Sequence, residues 1–194
     1  FTGFDERGKF PWKSALILNF TGFLDFHSLF IKDGLTAFDV DVRIEDIAMR
    51  EFEAIRRNPS EMRSTNIAKK FDRGSVLEEF AQKVDSLSKD AEVVILPAVF
   101  GLFNRNVAVE LKEKTEKPLL LLPVVPPSVP GIRCQIMLRQ RFQELGGTYF
   151  LDDIVEEGNF DNMRLLDIRT EKHGDIKLEA ERFVLATGSF YSKG

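Results

Sequence analysis

Ser128-Val129-Pro130-Gly131-Ile132-Arg133 brings a hydroxyl, a glycine and a guanidinium together at what the patterning marks as a helix start. That combination suits a phosphate or carboxylate. First-turn backbone N–H groups have no intrahelical acceptor, and the helix dipole adds partial positive charge there. Gly131 would let a ligand approach the backbone closely. Arg133 would add a forked, permanently charged donor. The prolines before Ser128 restrict the loop and lower the ordering cost of binding. The plainer alternative is that Arg133 pairs with a surface carboxylate. Arg63 and Asn66, three apart on one helix face beside Ile67 and Lys70, form a second candidate group. Its alternative is a solvated basic face.

A third candidate lies where strands end. In an open parallel sheet, ligands bind outside the carboxyl ends of the strands. The patterning sends Thr21-Gly22-Phe23, Pro97 to Gly101 and Pro126 to Arg133 to that end. The alternative is that proline and glycine only terminate strands there. His27 sits in an apolar helical pattern and reads as a structural histidine. Asp39 and Asp41 share a strand face, where carboxylates serve solubility. The chain has no G-x-G-x-x-G, G-x-x-x-x-G-K, G-x-S-x-G or H-E-x-x-H pattern. It therefore shows no complete nucleotide or hydrolase site of its own, and no metal site is expected.

The elements that would position these residues follow from periodicity. Ala15-Leu16-Ile17-Leu18, Val93-Val94-Ile95-Leu96 and Leu119-Leu120-Leu121-Leu122 are short continuous apolar runs and predict strands covered on both faces. Asp39 to Glu45 alternates strictly and predicts a half-exposed strand near a sheet edge. Between them, Leu24/Ser28/Ile31/Leu35, Ala48/Phe52/Ile55, Met62/Ile67/Phe71, Val76/Phe80/Val84/Leu87 and Val107/Ala108/Leu111 predict helices. Asn58-Pro59-Ser60-Glu61 has the form of a helix start. Ser128 reads as the N-cap of a helix that stops at Gly146-Gly147. This helix is apolar on two sides. Cys134, Leu138, Phe142 and Leu145 make one stripe, and Val129, Ile132 and Ile136 the other. The second is expected to be either core or a docking patch.

After Gly147 the pattern changes. Thr148 to Leu151, Met163 to Thr170 and Ile176 to Leu185 are strand-like, with turn signals at Gly158-Asn159 and His173-Gly174-Asp175. The expected fold class is α/β: an open, mainly parallel sheet with helices on both faces, plus a small antiparallel β appendage near the C-terminus. The expected organisation is a single domain over 1–194, with an α/β layer at 10–147 and an antiparallel segment at 148–190.

The 194 residues can bury a core without staples. One cysteine, Cys134, excludes an internal disulfide and suits a reducing compartment. A formal charge of −4 with interspersed signs argues against a nucleic-acid face. The longest apolar run is broken by prolines, so no direct membrane insertion is expected. The chain opens on Phe1 and reads as part of something longer.

Four blocks carry a family resemblance: Ala15-Leu16-Ile17-Leu18-Asn19-Phe20-Thr21-Gly22-Phe23-Leu24-Asp25-Phe26, Glu61-Met62-Arg63-Ser64-Thr65-Asn66-Ile67-Ala68, Ile95-Leu96-Pro97-Ala98-Val99-Phe100-Gly101-Leu102, and Leu121-Leu122-Pro123 through Arg133. Together they resemble the B-subunit of the bacterial anaerobic glycerol-3-phosphate dehydrogenases, from about Phe10 onward. Phe183-Val184-Leu185-Ala186-Thr187-Gly188-Ser189-Phe190 resembles the Ala-Thr-Gly strand of flavoproteins with a two-part dinucleotide-binding domain.

The resemblance implies a flavin, FAD or FMN, in the full-length protein, with Ala186, Thr187, Gly188 and Ser189 beside it. It implies two partners: a catalytic flavoprotein subunit and a membrane-anchoring iron–sulfur subunit. It further implies oxidation of glycerol 3-phosphate to dihydroxyacetone phosphate with electrons passed to quinone, on the cytoplasmic face of the membrane. The glycine-rich flavin-binding segment should precede Phe1 and the rest of the flavin domain should follow Gly194. This stretch would be the middle domain, inactive and without flavin when isolated. No catalytic residue carries over. An alternative is a non-catalytic docking domain acting through Val129, Ile132 and Ile136.

Overall fold

Ala15 to Leu18 are buried almost completely and form the interior of the first strand, β1 (Ser14–Phe20), in a computed structural model that describes residues 8–174 and 176–188. The chain divides into two compact units, Phe1–Gln140 and Arg141–Gly194.

The first unit is built on a four-stranded parallel sheet. β2 (Asp41–Ile47) pairs with β1 from Ser14↔Asp41 to Phe20↔Ile47. β3 (Val93–Pro97) lies on the other side of β1, and β4 (Leu119–Leu122) pairs with β3. The order β2-β1-β3-β4 reverses its direction of growth between β1 and β3. The inner strands β1 and β3 are the apolar runs, as a sheet covered on both faces requires. β2 is the expected edge strand, although it begins only at Asp41, because Asp39 at φ 57° turns the chain first. The leucine strand differs from its expectation. It is the other edge, and Leu121 and Leu122 are only half-buried.

Its α-helices are α1 (Ser28–Thr36), the single turn α2 (Glu53–Arg56), α3 (Ser64–Phe71), α4 (Gly74–Leu87), α5 (Val107–Lys114) and α6 (Val129–Glu144). α6 runs on into the second unit. α4 buries Val76, Phe80 and Val84 as its stripe requires. Phe71 sits among the rings of Phe20, Phe52, Phe80 and Phe100, with centroids 4.8 to 5.8 Å from its own.

Three helix expectations need correction. Leu24 precedes α1, because turns at Phe20–Phe23 and Phe26–Ser28 keep the chain irregular until Ser28. His27 is the exposed residue just before that helix and lies outside the apolar face. Asn58 does not start a long helix. Its Oδ1 accepts from the Ser60 N–H and hydroxyl, which closes a local turn, and α3 starts at Ser64. α6 matches at both ends. Ser128 Oγ accepts from Gly131 N–H at 3.3 Å. Gly146, at φ 84°, and Gly147 donate to Gln143 and Phe142, the paired bonds of a glycine C-cap.

The second unit carries an antiparallel sheet of β5 (Val155–Asp161), β6 (Arg164–Thr170) and β7 (Leu178–Glu179). Gly158-Asn159 is not a turn; it lies inside β5 beside a register shift. The turn is Asn162-Met163, where φ of 43° and 66° gives the twist that joins antiparallel strands through two residues. The strand-like stretch Thr148 to Leu151 forms no strand, and of Ile176 to Leu185 only Leu178 and Glu179 pair, because the other residues there meet no backbone ladder among the described residues. Among the described residues, no helix is long and apolar enough to cross a membrane.

Candidate functional site

The carboxyl ends of β1, β3 and β4 converge, as the patterning implied. Val125 N–H donates to the Asp25 carbonyl at 3.2 Å, and Ala98 N–H to Leu122 at 2.8 Å. Ser64, at the start of α3, donates its hydroxyl to the Pro127 carbonyl at 2.8 Å. Asp72, at the end of α3, accepts from the Phe103 and Asn104 N–H groups and so fixes the loop after β3. Its role was missed from sequence, since its partners lie 31 and 32 residues away.

Within this assembly the expected anion site is already occupied by the fold's own bonds. Of the first-turn donors of α6, Pro130 has none, Gly131 donates to Ser128 Oγ and Ile132 to the Ser128 carbonyl. A Cβ at Gly131 would come within 3.1 Å of Ser128 Oγ, so that glycine serves the cap itself. Arg133 Nη2 donates to the Phe100 carbonyl at 2.7 Å and to the Gly101 carbonyl. Its Nε is buried without a hydrogen-bond partner among the described residues. Arg133 therefore clamps the β3–α5 loop instead of pairing with a carboxylate.

Arg63 reaches Asp25 at 3.8 Å and the Ser60 carbonyl at 3.3 Å, with more than half of its side chain exposed. Asn66 turns to Glu61, donating to its carbonyl and its carboxylate at 2.9 Å. Thr21 N–H is used by Ile47, and Gly22 takes φ 85° on an exposed turn. The fold thus brings Arg63 beside the loop that follows Thr21 and Gly22, while Arg133 is bound to a different loop.

The Val129, Ile132 and Ile136 stripe is not a free patch. Val129 is fully buried and Ile132 packs against the core, with Ile136 half-buried. The other stripe of α6, with Leu138, Phe142 and Leu145, is the exposed one. Which stripe is covered depends on the neighbouring elements, and both have helical spacing.

A cleft of about 600 Å³ opens where α1 starts, with Phe23, Phe26, Leu29, Phe30, Ile44 and Asp46 in its walls. Asn19 Oδ1 and Ser28 Oγ lie behind that wall, buried and without partners among the described residues.

In the second unit, Asp153 is a hub. Its carboxylate accepts from Thr170 Oγ1 at 2.7 Å, from the Lys172 and Ile154 N–H groups at 3.0 Å, and faces His173 Nδ1 at 2.7 Å. Burial by itself would raise its pKa, but these hydrogen bonds outweigh it and hold the carboxyl well below its ordinary value of 3.8. Among the described residues, no cluster of three or more His, Cys, Asp or Glu could hold a metal ion.

Ala186, Thr187 and Gly188 are exposed, with Gly188 at φ 89°. Ser189 lies outside the described residues. These three residues could line one edge of a flavin, but they do not make a cradle for its pyrophosphate, which needs converging backbone N–H groups.

The chain is similar to the B-subunit of the anaerobic glycerol-3-phosphate dehydrogenase from several bacteria. Identity is 36% to the protein of Yersinia enterocolitica serotype O:8 / biotype 1B, over 97% of this chain and 44% of that protein. It is 36% to that of Pectobacterium carotovorum subsp. carotovorum, over 93% and 43%. It is 35% to that of Haemophilus ducreyi, over 97% and 45%. The chain thus spans less than half the length of the curated relatives it matches. No solved structure matches it. The family model described as an FAD binding domain matches residues 24–194. A match over that much of the chain settles the family: the chain belongs to the FAD binding domain family.

Proposed function

We propose that this chain is the middle, substrate-side part of the B-subunit of a flavin-dependent glycerol-3-phosphate dehydrogenase. The 36% identity that runs through 97% of the chain carries this reading. In it, the full-length protein holds FAD, with FMN as the alternative, mainly through residues outside this stretch. The enzyme oxidises glycerol 3-phosphate to dihydroxyacetone phosphate and passes the electrons to quinone. Its partners are a catalytic flavoprotein subunit and a membrane-anchoring iron–sulfur subunit, which place it on the cytoplasmic face of the membrane. Arg63 is the candidate anion contact best supported by its exposure.

The test is to express the full-length protein with and without its partners and to measure bound flavin and glycerol 3-phosphate oxidation with a soluble quinone. Stoichiometric FAD in the full-length protein, and loss of quinone-linked activity when it is omitted, are expected. Residues 1–194 alone should purify colourless. A full-length protein free of flavin, in an assembly whose activity does not need it, would overturn the reading.

A further inference from the structure

The cleft at the start of α1 is bordered by three large apolar side chains with little cover. Leu24 is 80%, Leu29 72% and Phe30 80% exposed. Isolated exposed leucines are ordinary, but these three share one cleft with Phe23, Phe26 and Ile44 behind them. On α1, Asp33 lies four residues after Leu29 and three after Phe30, so it neighbours both on the helix surface. Asp46 stands in the opposite wall, on the edge strand β2. Neither Asp33 nor Asp46 has an ion pair among the described residues. His27 is the basic side chain lining the cleft. An apolar hollow with one unpaired carboxylate in its wall, Asp46, and a second, Asp33, beside Leu29 and Phe30 on the helix complements an apolar segment that carries cations.

We infer that the α1 cleft is a docking surface for an amphipathic segment of a second, different protein chain, one that seats large apolar side chains against Leu24, Leu29 and Phe30 and a lysine or arginine against Asp33 and Asp46. This deepens the proposed function and rests on its reading of the chain as one component of an assembly. It places the docking surface near the N-terminal part of the chain and not on the stripe of Val129, Ile132 and Ile136, where Val129 is buried and Ile132 packs against the core. Phe30 has the chemistry of an interface anchor: a large aromatic ring that lines the cleft and is free to be covered by a partner. The two carboxylates would act chiefly on the association rate and on partner choice.

The test uses the full-length protein co-expressed with its partner subunits. The photoreactive variant Phe30→p-benzoylphenylalanine is irradiated in the assembly and the cross-linked peptide is sequenced. A peptide of another subunit, with large apolar residues next to lysine or arginine, is expected. Phe30→Ala should weaken co-purification about 10-fold or more, and Asp33→Lys should weaken it in a salt-dependent way. Both should leave the melting temperature unchanged, because these side chains are exposed. Val109→Asp, on an exposed part of α5, is the control that should do nothing. Cross-links to a second copy of this chain, to another part of the same polypeptide or to lipid would overturn the proposal. So would an assembly that tolerates Phe30→Ala. A wild-type assembly that binds no flavin and oxidises no glycerol 3-phosphate would defeat the functional reading while leaving the cross-linking result to stand by itself.

Discussion

Arg133 on α6 donates to the carbonyl oxygen of Phe100, 33 residues earlier, at 2.7 Å. The bond ties the helix after β4 to the loop after β3, and the Gly101 carbonyl shares the same nitrogen. Arg133 thus satisfies backbone acceptors that a buried loop would otherwise leave unpaired. Its charge is used inside the domain.

Arg133→Ala should therefore read out as stability. A loss of about 2 kcal/mol is expected, the usual scale for hydrogen bonds from a charged donor. Urea unfolding of the first unit would measure it. In the assembled enzyme, KM for glycerol 3-phosphate and flavin occupancy should stay unchanged. A large rise in KM at full stability would return Arg133 to the binding site. Arg63→Ala is the contrasting variant, expected to leave stability nearly unchanged because its ion pair with Asp25 is long and its own side chain is more than half exposed.

Gly101 takes φ 64°, and a Cβ there would fall 2.2 Å from the Asn104 carbonyl oxygen. That oxygen is backbone and cannot swing away. Gly101→Ala should cost more than about 1 kcal/mol through strain at a positive φ plus this clash. The same unfolding measurement reports it, and a neutral result would mean that the loop relaxes freely.

Phe71→Ala removes the ring that four other phenylalanines surround. The expected cost is about 3–5 kcal/mol, from lost transfer energy and the cavity left behind. Phe71→Leu should recover much of it. A cost near zero would show that the cluster collapses around the gap.

Asp153 gives a pH signature to the second unit. Its folded pKa is depressed below its unfolded value of about 3.8, so its contribution is present at neutral pH and is lost as pH falls through and below 4. Thermal melts between pH 7 and pH 2 should show that loss. Asp153→Asn should already be destabilised at pH 7, since an amide cannot accept all four donors, and its acid dependence should be flatter. Parallel acid profiles for the two proteins would assign the effect to other carboxylates.

Much of this architecture was legible in the sequence, because burial on both faces and burial on one face leave different periods. Ile17 and Ile95 sit in continuous apolar runs and lie in the inner strands; Val42 alternates with charges and lies at an edge. Ser128 and Gly146 mark the ends of α6 through bonds made within a few residues. The convergence of Thr21, Pro97 and Pro126 at one end of the sheet also followed, once the strands ran parallel. What the tertiary structure alone decided is where each long-range partner stands. Periodicity says that Val129 and Leu138 each belong to an apolar stripe, but only the packed neighbours bury one and expose the other. A guanidinium at Arg133 suits an anion or a pair of carbonyls equally well, and the choice fell to a loop 32 residues away. Asp153 reads as one more surface acid until its donors arrive from 17 to 20 residues downstream. Local spacing determines which groups a segment offers, whereas the fold determines which groups meet them, because those contacts close loops too long for any local pattern to encode.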